Sequence, residues 1–298
     1  MNTESVNIFA NPIAGRGKGK AIAARLETAL RAEGYIVKTS FDRPQDLPAG
    51  AIDDTTRALI VIGGDGTIRA VAGRVLALRG SIPPILPIPL GTANLMVHHL
   101  GFKWTDQTME AGVCQAIRQL RIRTIDSASA NGSMFLLMAG IGFDAQVVHE
   151  LDRIRKGPIH MLSYLKPAAM ALRDYHFPAL RVAVDGTVVW RYAPAVAFVG
   201  NVKEYGVGFS VLPFANPGDG LLDVCVMPCQ NWFELTQWFL QAAAGQHVWS
   251  DKIKYLNGKH IVIESKSPVP VQLDGDAGGH TPLDIRLLPQ RVPFIVPG

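Results

Sequence analysis

The sequence predicts two domains: an N-terminal doubly wound α/β domain and a C-terminal antiparallel, β-sandwich-like domain with a few helices. Three observations carry this. Short apolar runs alternate with helical periodicity through the first third, the pattern of crossover units on a parallel sheet. Beyond about residue 122 the texture becomes apolar–polar alternation around Asp-Gly and Asn-Gly pairs, which marks hairpins. The 298 residues, 48% hydrophobic and 18% charged, suffice for one large domain or two ordinary ones.

In chain order, "VNIFA" (6–10) reads as a buried strand and "NPIAGRGKGK" (11–20) as a turn. Ile22, Leu26 and Leu30 recur every four residues and Gly34 follows, which predicts a helix and its stop. "YIVKTS" (35–40) and "ALIVIG" (58–63) are the next strands. Apolar positions from Ile68 to Leu78 make a helix, and "PPILPIPLGTAN" (83–94) a strand and turn. In the second half "ALRVAVDGTVVWRYA" (179–193) predicts a hairpin at Asp185-Gly186, and "KIKYLNGKHIVIES" (252–265) another at Asn257-Gly258. "APAVAFVGN" (193–201) and "LLDVCVMP" (221–228) add strands. Helical stretches are expected at about 144–175, broken at Pro158, and at 231–245. The domains are taken as 1–125 and 126–280, with 281–298 a candidate to return to the first and a cleft expected between the two.

Charge and cysteine content narrow the function classes. A net charge of +4 suits an anionic ligand or membrane surface, yet there is no basic stripe or nucleic-acid-binding module, so nucleic acid is excluded as a partner. Cys114, Cys225 and Cys229 read as buried thiols of a reducing compartment. The start lacks a signal-peptide pattern and no run reaches the ~18 apolar residues of a membrane span, so a cytoplasmic protein is expected.

Three glycine-containing loops follow predicted parallel strands: Asn11 to Gly15, Gly63 to Thr67, and Pro89 to Asn94. Ligands of open α/β sheets bind outside the carboxyl ends of the strands, where glycines admit a phosphate to the backbone. Each loop alone is better read as a tight turn; three in one half of the chain favour phosphate. Neither standard nucleotide fingerprint is present. Instead Asp65 interrupts the glycines of "GGDGTI", a place suited to holding Mg²⁺ or water or to accepting a proton.

"NPIAG", "GGDGTI" and "PLGTAN", in that order and spacing, resemble the catalytic domain of the diacylglycerol kinase and sphingosine kinase superfamily, above all its stand-alone bacterial lipid kinases. "IDSASANGSMFLLMAGIGFDA" (125–145), "GNVKEYGVGFSVLPFANPGDGLLDV" (200–224) and "VQLDGDAGG" (271–279) extend the likeness over nearly the whole chain. The resemblance implies an ATP- and Mg²⁺-dependent kinase that moves the γ-phosphate to a lipid hydroxyl, a diacylglycerol-like molecule or related lipid alcohol, in the interdomain cleft. It places Gly63, Gly64, Asp65, Gly66, Thr67, Gly91, Thr92 and Asn94 at the ATP phosphates, Asn11 in support of the loop, and Thr39 near the nucleotide. Asp65 and Asp126 would organise Mg²⁺. Asp219, with the carbonyls of Asn216 and Leu221, would bind a second, structural Mg²⁺. The late motif would supply the base, with Asp274 and Asp276 both candidates and Asp65 a further catalytic carboxylate. Asp276 stands where the family has Glu, and "TANLMVHHLG" replaces its usual Asn-Asp-Phe-Ala-Arg run.

The alternatives are a kinase for a soluble substrate such as NAD and an inactive nucleotide- or lipid-binding regulator. The lipid reading brings transient contact with the inner face of the membrane; the oligomeric state stays open, a dimer being plausible. Of His98 and His99, one is expected half-buried and the other solvent-facing. Arg16, Lys18 and Lys20 read equally as anion attractors and as a solvated turn. A buried helix is the default for 157–175 and core packing for the aromatics of "QNWFELTQWFL" (230–240).

Overall fold

The computed structural model describes residues 4–12, 17–47, 52–79, 82–91, 93–154, 175–206 and 209–297. The chain forms two compact units, Met1–Ile125 with Gln290–Gly298, and Asp126–Pro289.

The first unit is a parallel sheet clothed by helices. Strands β1 (Ser5–Ala10), β2 (Ile36–Ser40), β3 (Thr56–Gly63) and β4 (Ile85–Pro89) lie in the order β4-β3-β1-β2. Helix α1 (Lys18–Ala32) crosses from β1 to β2, and α2 (Asp65–Arg79) from β3 to β4; the short α3 (Leu95–His99) and α4 (Met109–Gln119) follow. β1 is buried along its whole length, and β3 from Ala58 on, which is why both read as unbroken apolar runs. Leu26 and Leu30 of α1 pack with Val113 and Ile117 of α4 in one core. Each such fully buried side chain contributes about 1.5–3 kcal/mol of apolar transfer. Helix α2 begins at Asp65 rather than at Ile68, so most of the glycine-rich stretch is already its first turn.

The second unit is built from antiparallel strands: β5 (Ile122–Ala130, which enters from the first unit), β6 (Ser133–Phe135), β7 (Met138–Ile141), β8 (Ala179–Val184), β9 (Thr187–Gly200), β10 (Leu222–Pro228), β11 (Lys254–Gly258), β12 (His260–Ser265), β13 (Pro270–Leu273), β14 (Asp276–His280) and β15 (Leu283–Ile295). The long β9 serves two layers. Its first half, up to Pro194, pairs with β8; from Ala195 on it pairs with β10, and from Ala197 also with β7. Side chains of both layers, among them Val182, Val199, Val224, Ile263 and Ile285, share one core. Helices α5 (Phe143–Ile154) and α6 (Trp232–Ala243) complete the described part of this unit. β15 runs back into the first unit, where Phe294 pairs with Ile85 of β4 in parallel.

The turn at Asp185-Gly186 is a hairpin, with φ of 46° and 82° at its two central residues, the left-handed geometry that such tight turns demand. The second expected hairpin is a correction. β11 pairs with β10, whereas β12 pairs with β8 and β15, so Asn257-Gly258 precedes a crossing from one layer to the other. Gly258 is required there because a Cβ would collide with Val184 Cγ1 and lie 2.8 Å from Asp185 Oδ2. The Asp185 carboxylate then takes the backbone N–H groups of Lys259 (3.0 Å) and His260 (2.9 Å). The residues beyond Ile154 in the expected 144–175 helix lie, up to 174, outside the described residues.

Candidate functional site

In the first unit the loops after β3 and β4 are joined at the carboxyl edge of the sheet. The Leu90 N–H donates to the Gly63 carbonyl at 3.0 Å. Gly64 and Gly91 lie backbone to backbone: a Cβ on Gly91 would stand 2.7 Å from Gly64 Cα, and one on Gly64 would stand 3.0 Å from Gly91 Cα. Gly63 is needed for a different reason, because its Cβ would meet Thr67 Cβ at 2.6 Å. Asn94 Oδ1 accepts from Gly91 N–H, and its Nδ2 donates to the Gly91 carbonyl, each at 2.8 Å, which closes the second loop on itself.

Asp65 completes the junction. Its carboxylate accepts the N–H groups of Leu95 and Met96, each at 2.9 Å, which are orphan donors in the first turn of α3. Asn11 Nδ2 donates to Thr67 Oγ1 at 3.0 Å, tying the end of β1 to α2. Gly66 lies with Asp65 and Thr67 in the first turn of α2. Thr39, near the end of β2, donates to Glu27 of α1 at 2.8 Å. Thr92, with Ile13 to Arg16, lies outside the described residues.

In the second unit Asp126 is buried and organises the 216–221 turn. Its N–H donates to the Pro217 carbonyl at 2.6 Å, and its Oδ2 accepts Gly220 N–H at 2.7 Å. The buried Asn201, which the sequence did not single out, donates to the Asp126 carbonyl at 2.8 Å and to that of Leu136 at 3.0 Å. Asp219 Oδ1 accepts the Leu221 N–H at 3.0 Å, and the Asp219 N–H points to the Asn216 carbonyl at 3.4 Å. No cluster of three His, Cys, Asp or Glu side chains suited to a metal exists among the described residues. A turn with one carboxylate and peptide carbonyls nevertheless fits hydrated Mg²⁺, a hard cation that takes oxygen ligands and keeps several of its waters.

Asp274 and Asp276 occupy the β13–β14 turn and do different things. Asp274 and Gly275 have φ of 51° and 85°. The Asp274 carboxylate accepts three backbone N–H groups, Leu136 (2.9 Å), Leu137 (2.8 Å) and Met138 (3.0 Å). A carboxylate has about four lone-pair sites, so three are already taken. Asp276 opens β14 opposite Leu273 and is half-buried.

Asp144 lies within the 125–145 motif, where the sequence alone marks no role for it. It stands in the first turn of α5, buried, and burial pushes its carboxyl up to about 7. The signal that could have marked it is Gly140, where a Cβ would collide with Asp144 Oδ2.

Elsewhere, His98 is exposed and His99 half-buried. The three thiols are free and buried, and desolvation raises all of them, Cys229 to about 12. Gly17, at φ 85°, precedes α1; Lys18 is exposed, and Lys20 lies over the Phe41 ring. Of the aromatics of α6, Trp238 is buried as expected of the core, Trp232 and Phe239 are half-buried, and Phe233 is 78% exposed, with Leu240 of the same helix 67% exposed. No helix among the described residues is long and apolar enough to cross a membrane.

Residues 5–130 match the diacylglycerol kinase catalytic domain, and residues 138–296 match the YegS C-terminal NAD kinase beta sandwich-like domain. A Mycobacterium tuberculosis protein named diacylglycerol kinase is 26% identical over 298 residues, covering 98% of this chain and 95% of its own. A Pseudomonas aeruginosa protein named "Probable lipid kinase YegS-like" is 30% identical over 170 residues, 57% of this chain and 54% of its own. A crystal structure of a candidate diacylglycerol kinase from Bacillus anthracis str. Sterne superposes with a TM-score of 0.72 at 25% identity, covering 99% of this chain and 98% of the other.

Proposed function

The chain belongs to the lipid-kinase family that joins a diacylglycerol kinase catalytic domain to a YegS C-terminal domain, and on that premise we propose that it uses ATP to phosphorylate a lipid hydroxyl. The observation that carries the reading is the junction of Gly63–Thr67 with Gly91 and Asn94. Two backbone segments are packed so closely that they form one rigid edge at the carboxyl ends of β3 and β4, where nucleotide phosphates would be received.

In this reading the acceptor oxygen attacks the γ-phosphorus, the bond from phosphorus to the bridging oxygen of ADP breaks, and the hydroxyl proton passes to a carboxylate. We assign that carboxylate to Asp276, since Asp274 is occupied in holding the turn by three N–H donors. Asp65 and Asp126 act by position, Asp65 through the first turn of α3 and Asp126 through the 216–221 turn. Mg²⁺ would be held by Asp219 and the carbonyls of Asn216 and Leu221, and when bound it supplies positive charge that steadies this turn. Catalysis is then mostly positioning and charge neutralisation.

The acceptor class supports peripheral contact with a membrane surface. The outer face of α6 exposes Phe233, Thr236, Gln237, Leu240 and Ala243, with no charged side chain, and Trp249 beyond it is 78% exposed. Large exposed apolar side chains such as Phe233 and Leu240, set among uncharged polar ones, suit a helix lying at a lipid interface.

The test is γ-labelled ATP with the purified protein, a total lipid extract and, in parallel, NAD. Label in a lipid that depends on Asp276 is expected. Label in NAD but in no lipid would replace the reading with that of a soluble-substrate kinase, and nucleotide binding with no transfer would indicate a regulator.

A further inference from the structure

The Asp274-Gly275-Asp276 turn is held from two sides. On one, Asp274 takes the amides of Leu136, Leu137 and Met138. On the other stands Gln272, fully buried on β13, whose Oε1 accepts the Gly275 N–H at 2.8 Å. Its Nε2 donates to Asp144 Oδ2 at 3.3 Å. A glutamine amide has one accepting and one donating end, so an acceptor at Asp144 decides which end faces Gly275. Turned over, the amide would set NH₂ against the Gly275 N–H and oxygen against the Asp144 carboxyl. Gly140 leaves the space for this pair: a Cβ there would collide with Asp144 Oδ2 and lie 2.6 Å from Gln272 Nε2.

We propose that Asp144 is a positioning residue, which through Gln272 holds the Gly275 N–H and thereby sets the place of the Asp276 carboxylate. The inference rests on the reading of this turn as the one that activates the acceptor. Gln272 donates to Asp144, and among the described residues Tyr205 and Tyr175 also act on or lie near its carboxyl and no positive charge does. Its carboxyl is kept near neutrality by burial, and in either protonation state it retains an oxygen to accept from Gln272.

Asp144→Ala, Asp144→Asn, Gln272→Ala and the double Ala variant of the full chain test this, by steady-state kinetics and by hydrogen exchange at the Gly275 amide. Asp144→Ala and Gln272→Ala should each lower kcat about tenfold or more with KM for ATP unchanged, since small misplacements are costly in transfer reactions. The double variant should be no worse than either single one, as for residues acting in series. Asp144→Asn, which keeps an acceptor oxygen, should recover most of the rate. The Gly275 amide should exchange about tenfold faster in both Ala variants while the Leu137 amide stays protected. Unchanged Gly275 exchange, or faster exchange with kcat unaltered, overturns the proposal. Should Asp144→Ala fail to fold, Gln272→Ala decides alone. Absence of transfer to any lipid by the unaltered protein would sink the kinase reading, while the exchange measurement would still judge the Asp144–Gln272–Gly275 chain.

Discussion

Gly64 and Gly91 touch through their backbones, so closely that a methyl on Gly91 would stand 2.7 Å from Gly64 Cα and 2.8 Å from Asn94 Oδ1. Gly91→Ala must therefore push the two loops apart. Overpacking of this kind costs about 1–3 kcal/mol, and a lower melting temperature is expected together with weaker nucleotide binding. An unchanged melt would show that the loops are not rigidly joined.

Asp65→Ala removes the acceptor from two N–H groups at the start of α3. A cost of about 1–2 kcal/mol is expected, with Asp65→Asn intermediate because one oxygen remains. Denaturant unfolding checks it; if Asp65→Ala proves as stable as the unaltered chain, the carboxylate has no structural role.

Asp274 and Asp276 should separate cleanly. Asp274→Ala leaves the Leu136, Leu137 and Met138 amides without their carboxylate and should destabilise by about 2–4 kcal/mol. Asp276→Asn should leave the melt nearly unaltered and lower turnover by about 10²–10⁴, the range of a lost general base. The reverse pattern would transfer the base to Asp274.

The pH dependence of stability carries the mark of Asp144. Its folded value, about 7, lies above the ordinary 3.8. Between those values the folded chain keeps a proton that the unfolded chain has released, so stability falls as pH rises through this window and levels off above about 7. From pH 5 to 7 the loss is at most about 3 kcal/mol, and Asp144→Asn should flatten that slope. Urea midpoints across the range measure it, and an identical slope in Asp144→Asn would refute the assignment.

Membrane contact has its own variant. Phe233→Ser with Leu240→Ser alters two side chains that are 78% and 67% exposed, so the melt should hold. Sedimentation with vesicles of mixed zwitterionic and anionic phospholipid should show binding weakened about tenfold or more. Equal binding would remove α6 from the membrane face.

The division into α/β and sandwich-like parts was legible because the two textures obey local rules of periodicity and turn chemistry. Those rules reach a few residues. They identified the hairpin at Asp185-Gly186 and failed at Asn257-Gly258, where a distant partner, the β8–β9 turn, decides the path. The site divides in the same way. Glycines around residues 63 and 91 were visible, but their use in packing one loop on the other was not, since the segments are separated by a helix and a strand. The choice between Asp274 and Asp276 likewise needed amides at 136–138 that no local pattern connects to the turn. Asp144 and Gln272 were hidden because each looks like an ordinary core-edge residue until the other is in view.

The return of β15 has a bearing on biosynthesis. Phe294 takes its place beside Ile85, and the Val296 N–H donates to the Arg121 carbonyl at 2.9 Å, so the unit that leaves the ribosome first is completed by residues that leave it late. A nascent chain halted at Pro289 would already contain every candidate carboxylate and every glycine loop, yet it would have an open sheet edge at β4. Until residues 290–296 emerge, that edge is what a chaperone or a neighbouring nascent chain would meet.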